Sequence, residues 1–458
     1  MDKRFPLEDQ IEMLASSLRG RVISPRQADY DAVRTVALGN FARRPAAVIR
    51  VANAADVAAV LNFAQATGLE VAVRSGGHSV SGHSGSDGGL VIDLRDLNAI
   101  EIDRDASTAW AGTGLTAGEV TAAVEREKLI VGFGDSATVG IGGITLGGGI
   151  GYLIRKHGLT IDSLLAAEIV TASGDILIAD DTHHPDLFWA LRGGGGNFGV
   201  VTRFKYRLHP LPHFTGGPLV LPATPETLAG FVAAAEAAPE DLSTIAMVMP
   251  APPLPFLPPE VHGRIVLIGM MAFAGEPEAA SRALAPFRAL ATPVADLVGP
   301  APYSSMYLPE DPDARPAVSI RTLFMDRFGL EEARTALDFL ERSDAPMKMA
   351  QLRVLGGASA RVPAGATAFA HRQSRIMGAF LAMYGGPDET PAHDRWATEA
   401  VAALRQDDTG AYVNFLANEG KERLRAAYPG ATWDRLRRVK GQYDPENLFR
   451  LNQNIPPA

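Results

Sequence analysis

The sequence predicts an α+β fold in two parts: a glycine-rich first half built on βαβ-like units, then a half in which antiparallel strands are backed by helices. Three observations carry this. Apolar spacing alternates between the strand and helix periods from about 46 to 131, glycine is concentrated in a few clusters between 76 and 199, and beyond about 212 the texture changes to long alternating runs separated by Ala-rich stretches.

In chain order, "AAVIRV" reads as a strand. "NAADVAAVLNFAQATG" reads as a helix, with Val57, Val60, Leu61 and Ala64 at helical spacing, Asn53 as N-cap and Gly68 as the stop. "LEVAVR" is a second strand, and a loop rich in glycine and serine, holding His78 and His83, separates it from the apolar run "LVIDL". A second unit follows at 107–131: "STAWAGTG" is strand-like, and Thr116 with Glu119 forms a capping box that opens the helix "TAGEVTAAVEREK". Glycine then dominates "GFGDSATVGIGGITLGGGIGY" and, after a helical "LFWALR", "GGGGNFGVVTRFKYRL". "GRIVLIGMMAF" and "MKMAQLRVL" are strands of the second half, and the prolines of "PAPPLPFLPPE" make a stiff loop between strands. A basic helix, "WDRLRRVKGQ", precedes the terminal "YDPENLFRLNQNIPPA".

Composition narrows the function. With 458 residues and 47% hydrophobic content the chain can bury a large core, and a net charge of -9 offers no basic stripe for a nucleic-acid backbone. The absence of cysteine removes disulfides, thiolate metal sites and cysteine nucleophiles. No apolar run reaches membrane-spanning length, and the N-terminal "MDKRFPLEDQIEMLASSLRG" carries acids where a secretory peptide is apolar. The expectation is a soluble, cytoplasmic protein with no nucleic-acid or membrane partner, its oligomeric state undetermined.

Glycine turns let backbone N–H groups approach an anion, so serial clusters beside strands suggest a ligand with phosphates, although each cluster alone is readily a surface loop. Gly194, Gly196 and Gly199 match G-x-G-x-x-G, but a helix precedes them and a strand follows, the reverse of a dinucleotide-binding unit. Neither a P-loop nor a G-x-S-x-G elbow is present. "THHPDLF" reads as a loop into a helix with Pro185 in its first turn rather than a metal site, and no metal is expected.

Together "RSGGHS", "TVGIGGITLGGGIGYLIRKHGLTIDSLLAAEIVTA", "HPDLFWALRGGGGNFGVVT" and "YDPENLFRLNQNIPP" resemble the berberine bridge enzyme-like flavoproteins of the vanillyl-alcohol oxidase superfamily. The resemblance implies an N-terminal segment at 1–42, a two-subdomain PCMH-type FAD-binding domain at 43–212, a substrate domain at 213–404 whose antiparallel sheet roofs the flavin, and a segment at 405–458 that returns to the FAD domain. It places Arg74, Ser75, Gly76, Gly77 and Ser79 around FAD and makes His78 the residue bonded to the flavin 8α carbon. His83 has no counterpart and is read as structural. Ser136 falls where many relatives carry a second, cysteinyl link, and a hydroxyl cannot replace a thiolate, so attachment through His78 alone is expected. Thr138, Val139, Gly142, Gly143, Gly149 and Tyr152 follow as flavin contacts, then Gly199, Val200 and Val201, and finally Asn452 and Asn454.

Val139 stands where valine accompanies oxidase activity in such proteins, with ordinary core packing as the alternative, and Ile144 replaces a histidine common in relatives. The implied reaction is removal of hydride from a C–H beside OH or NH of a small organic substrate to flavin N5, with O₂ as acceptor. Tyr412 is the candidate base, with Asn414 on the same side of a strand and Arg353 as the cation that lowers its pKa. Gln351 and Arg353 alternate on one strand face, toward either flavin or solvent. The alternatives are a dehydrogenase using another acceptor, and a non-catalytic nucleotide-binding protein.

Overall fold

A computed structural model describes residues 5–311 and 313–458. The first four residues of the acidic N-terminal stretch lie outside the described residues, and a helix follows at Leu7–Ser17.

The two expected βα units form two sheets. The first, in the order Arg21–Ile23, Ala47–Arg50, Leu90–Asp93, Val71–Arg74, has parallel pairings of Leu90–Asp93 with both of its neighbours. Helix Ala54–Thr67 covers it. The Asn53 side chain accepts from the Asp56 amide, and Gly68 ends the helix at φ +73° in the left-handed region, as its sequence signals require. The second sheet is antiparallel and five-stranded: Ile100–Asp103, Thr108–Gly112, Val200–Arg207, Leu164–Val170, Ile176–Asp180. Helix Ala117–Glu125 beside it carries the full Thr116–Glu119 capping box.

The large antiparallel sheet of the second half takes the order Phe214–Pro222, Ile265–Ala274, Leu242–Pro250, Met347–Val354, Ile376–Tyr384, Ala317–Met325, with two short strands at its Phe214 edge. Its strands obey the period of two. Ala246, Val248, Ala350, Leu352 and Val354 pack on helices Pro225–Ala237, Leu330–Arg342 and Thr390–Ala403. Ile245, Met247, Met249 and Met349 point the other way, into a core shared with Phe133, Leu153 and Phe204 of the first half. One sheet therefore roofs the glycine-rich half with one face and holds helices on the other.

The terminal segment is tied down by a buried cation. Lys440, in helix Ala431–Tyr443, has no exposed surface and donates to Asp444 (2.5 Å), the Asn197 carbonyl (2.8 Å) and the Phe449 carbonyl (2.9 Å). The Asn197 side chain in turn accepts from the Ile455 amide and donates to the Gln453 carbonyl. Gln453 reaches Ser81 Oγ at 3.0 Å, so the last residues close on the loop that carries His78.

Candidate active site

The site begins where two glycine loops cross. A Cβ on Gly76 would lie 2.2 Å from the Gly140 nitrogen, and one on Gly140 would lie 2.1 Å from the Gly76 nitrogen, so only glycine at both positions permits the crossing. Ser75 Oγ stitches it by donating to the Thr113 carbonyl (2.6 Å) and accepting from the Gly142 amide (3.2 Å). The crossing sets His78 against the segment Ser136–Val139.

There the His78 ring nitrogen Nε2 lies 3.0 Å from Thr138 Oγ1. Glu310, from a loop of the roof half, accepts from Thr138 Oγ1 (2.6 Å) and Ser136 Oγ (2.6 Å). Burial lowers the His78 pKa from its ordinary value, and the Glu310 charge opposes that shift. Sequence reasoning missed Glu310, which no local pattern distinguishes from any other surface acid.

Burial, with Arg43 adding to it, pushes the His83 pKa down to about 4. Its backbone N–H donates to Ser79 Oγ (3.1 Å), a loop-shaping role.

Overhead, Gln351 and Arg353 point toward the glycine-rich half, not toward solvent. Arg353, 3% exposed, donates to Asp135 Oδ2 (2.6 Å), the Ile150 carbonyl (2.7 Å) and Gln351 Oε1 (2.8 Å). Gln351 adds a 3.2 Å bond to the same carboxylate oxygen. Asp135 Oδ1 has no hydrogen-bond partner among the described residues. The signal for this residue in the sequence is the acid beside Ser136 in "GDSATVG".

The structure corrects one part of the expectation for Tyr412, its place on a strand. "YVNF" is a 3-10 turn at Val413–Phe415, not a strand, although Asn414 does reach Tyr412, its Nδ2 donating to the hydroxyl at 2.9 Å. That hydroxyl also accepts from the Gly149 (3.0 Å) and Ile150 (3.3 Å) amides. Burial is the largest influence on Tyr412 and raises its pKa; the Asn414, Gly149 and Ile150 donors and, last, the Arg353 charge all act to lower it. Tyr412 and Arg353 clamp opposite ends of Ile150, one taking its N–H and the other donating to its carbonyl. The Tyr412 hydroxyl thus holds the loop at Gly149 and Ile150. Tyr152 lies in the shared core near Asp135, its pKa also raised by burial.

The remaining sequence candidates form a cradle. Arg74 is neutralised by Asp93 at 2.7 Å and leaves Nη1 without a partner. From Gly76 to Ser81 no backbone N–H donates to a protein backbone acceptor among the described residues, and Gly77 sits at φ +78°. Such a run of free N–H groups fits a pyrophosphate. Gly143 faces open space, and Gly149 and Gly199 take positive φ at the bends on either side. Val200 and Val201 open the strand after Gly199, and the Val201 carbonyl accepts from Thr113 at 2.7 Å. At the far end, Asn452 and Asn454 each hold a buried, unpartnered Oδ1 able to accept from hydroxyl groups. The free donors and acceptors fit FAD.

Comparison with known proteins agrees. Residues 45–180 match the family model described as FAD binding domain, and residues 411–456 the one described as berberine and berberine like. The chain is 31% identical to (R)-6-hydroxynicotine oxidase of Paenarthrobacter nicotinovorans over 96% of this chain and 97% of that one. It is 30% identical to xylooligosaccharide oxidase of Thermothelomyces thermophilus over 90% and 88%. The crystal structure of 6-hydroxy-D-nicotine oxidase from Arthrobacter nicotinovorans superposes with a TM-score of 0.86 at 27% identity, covering 96% of this chain and 98% of that one. A cradle of free N–H groups under an antiparallel roof, together with these full-length matches, makes this chain an FAD-dependent oxidoreductase of the berberine bridge enzyme-like family.

Proposed function

We propose that the protein is an oxidase that removes hydride from a C–H next to OH or NH of a small organic substrate, the flavin returning its electrons to O₂ to give hydrogen peroxide. The carrying observation is the loop crossing that sets His78 beside Thr138, in the same loop as the Asp135 that Gln351 and Arg353 hold. FAD would supply the hydride acceptor, held at residues 74–81, by the 136–152 loops and by the terminal segment. In this reading the FAD domain spans 43–212, the substrate domain 213–404, and 405–458 packs back on the first.

His78 is the attachment residue, since Ser136 offers only a hydroxyl. With burial raising the Tyr412 pKa, the group that receives the substrate's O–H or N–H proton in this reading is Asp135, whose Oδ1 is free and whose Oδ2 is fixed by Arg353 and Gln351. Arg353 spends its donors on protein acceptors, which favours a neutral or amine substrate over a phosphorylated one. Val139, next to Thr138, is the small residue that leaves O₂ a path.

The test is the visible spectrum before and after acid precipitation, followed by peroxide production with (R)-6-hydroxynicotine and xylobiose as probes. Yellow colour in the pellet that His78→Ala moves to the supernatant supports the attachment. Substrate reduction with slow reoxidation by O₂ would favour a dehydrogenase, and no flavin after reconstitution would defeat the reading.

A further inference from the structure

Proton bookkeeping among four side chains decides which His78 nitrogen is free to react. Glu310 is a carboxylate and can only accept. The single protons of Ser136 and Thr138 therefore go to its two oxygens, at 2.6 Å each, rather than across the longer 3.2 Å contact between the two hydroxyls. With its proton committed, Thr138 Oγ1 meets His78 Nε2 at 3.0 Å as an acceptor, so Nε2 carries the hydrogen. In the neutral ring Nδ1 then holds the lone pair, and the only other hydrogen-bond partner of the ring among the described residues is the Thr138 backbone.

We propose that Glu310, acting through Thr138, locks the Nε2–H tautomer of His78 and so makes Nδ1 the nitrogen that joins the flavin. This deepens the reading of His78 as the attachment residue and rests on it. Glu310 is a positioning residue, contributed by the roof half to the cofactor half, so attachment becomes sensitive to how the two halves close.

The step balances. The flavin 8-methyl group would lose one C–H proton to solvent, Nδ1 would form the new C–N bond to that carbon, and the two electrons would pass by way of the flavin to dioxygen, which takes two protons from solvent to leave as hydrogen peroxide. Alkylation at Nδ1 leaves an imidazolium whose Nε2–H points at Thr138 and, beyond it, at the Glu310 charge. The relay therefore stabilises the cation as it forms. Arg95 and Arg315 also act on the ring electrostatically, in the opposite sense.

The test follows covalent incorporation after FAD is added to full-length protein produced without flavin, reading the acid-stable flavin fraction against time. Glu310→Gln and Thr138→Val are expected to bind FAD reversibly but join it about tenfold to a hundredfold more slowly. Glu310→Asp and Thr138→Ser, which keep an acceptor and a hydroxyl, are expected to retain most of the rate. Mass spectrometry and NMR of the flavin peptide are expected to show linkage through Nδ1. Linkage through Nε2, or wild-type rates in both disruptive variants, overturns the relay while leaving attachment at His78 intact. Wild-type protein that binds FAD but never joins it defeats the attachment reading and the relay together.

Discussion

Arg353 of the roof strand and Asp135 of the glycine-rich loop close a 2.6 Å ion pair across the boundary between the two halves of the molecule. The guanidinium is nearly fully buried, whereas the carboxylate keeps 27% of its side-chain surface exposed. Arg353 also ties the Ile150 carbonyl, so one cation sets the height of the roof over two loops.

Removing the acid leaves that cation buried with only neutral acceptors. Asp135→Ala is expected to lower stability by about 3 kcal/mol, the low end for breaking a buried pair because of its partial exposure. Asp135→Asn should cost less, since an amide oxygen still accepts. Urea titration monitored by tryptophan fluorescence checks this, and a change in Asp135→Ala of less than about 0.5 kcal/mol would mean the pair does not hold the roof.

Tyr412→Phe separates a scaffold from a base. Loss of the hydroxyl strands the Gly149 and Ile150 amides and is expected to cost about 1–3 kcal/mol. The pH dependence of flavin reduction should stay as in the wild type. Because burial holds the Tyr412 pKa above its ordinary value of 10.0, the native state keeps a proton the unfolded chain loses above that pH. Its contribution to stability is therefore lost as pH rises past 10, and the variant should show a flatter alkaline limb.

His83 has the opposite sign. Its folded value of about 4 lies below the ordinary 6.5, so the unfolded chain binds a proton first as pH falls. Stability is full above 6.5 and declines between 6.5 and 4, by on the order of 3 kcal/mol at most. A His83→Gln variant is expected to lose less stability over that window in denaturation at matched pH. An unchanged acid limb would show that other groups set it.

Lys440→Ala would strand Asp444 with no exposed surface and release the Asn197 and Phe449 carbonyls. The expected loss is about 3–5 kcal/mol, with earlier proteolytic cleavage in the segment after helix Ala431–Tyr443. Replacing Lys440 and Asp444 together by apolar residues should recover part of it, and intact digestion patterns in the single variant would count against the buried pair as the clasp.

Much of this architecture was legible in local patterns. Asn53, Gly68, Thr116 with Glu119, and the alternation of Gln351 and Arg353 each encode a cap, a stop or a face within a few residues, and such signals act before any tertiary contact exists. The glycine clusters and the terminal "YDPENLFRLNQNIPP" likewise carried the family and its flavin in their order along the chain. Tertiary structure alone decided what lies hundreds of residues apart. Glu310 meets Thr138, Arg353 meets Asp135, and Gln453 meets Ser81, contacts that no periodicity announces. It also set the surroundings of Tyr412: the desolvation that raises the pKa of its phenol and the donors that packing brings to its oxygen are properties of the folded interior.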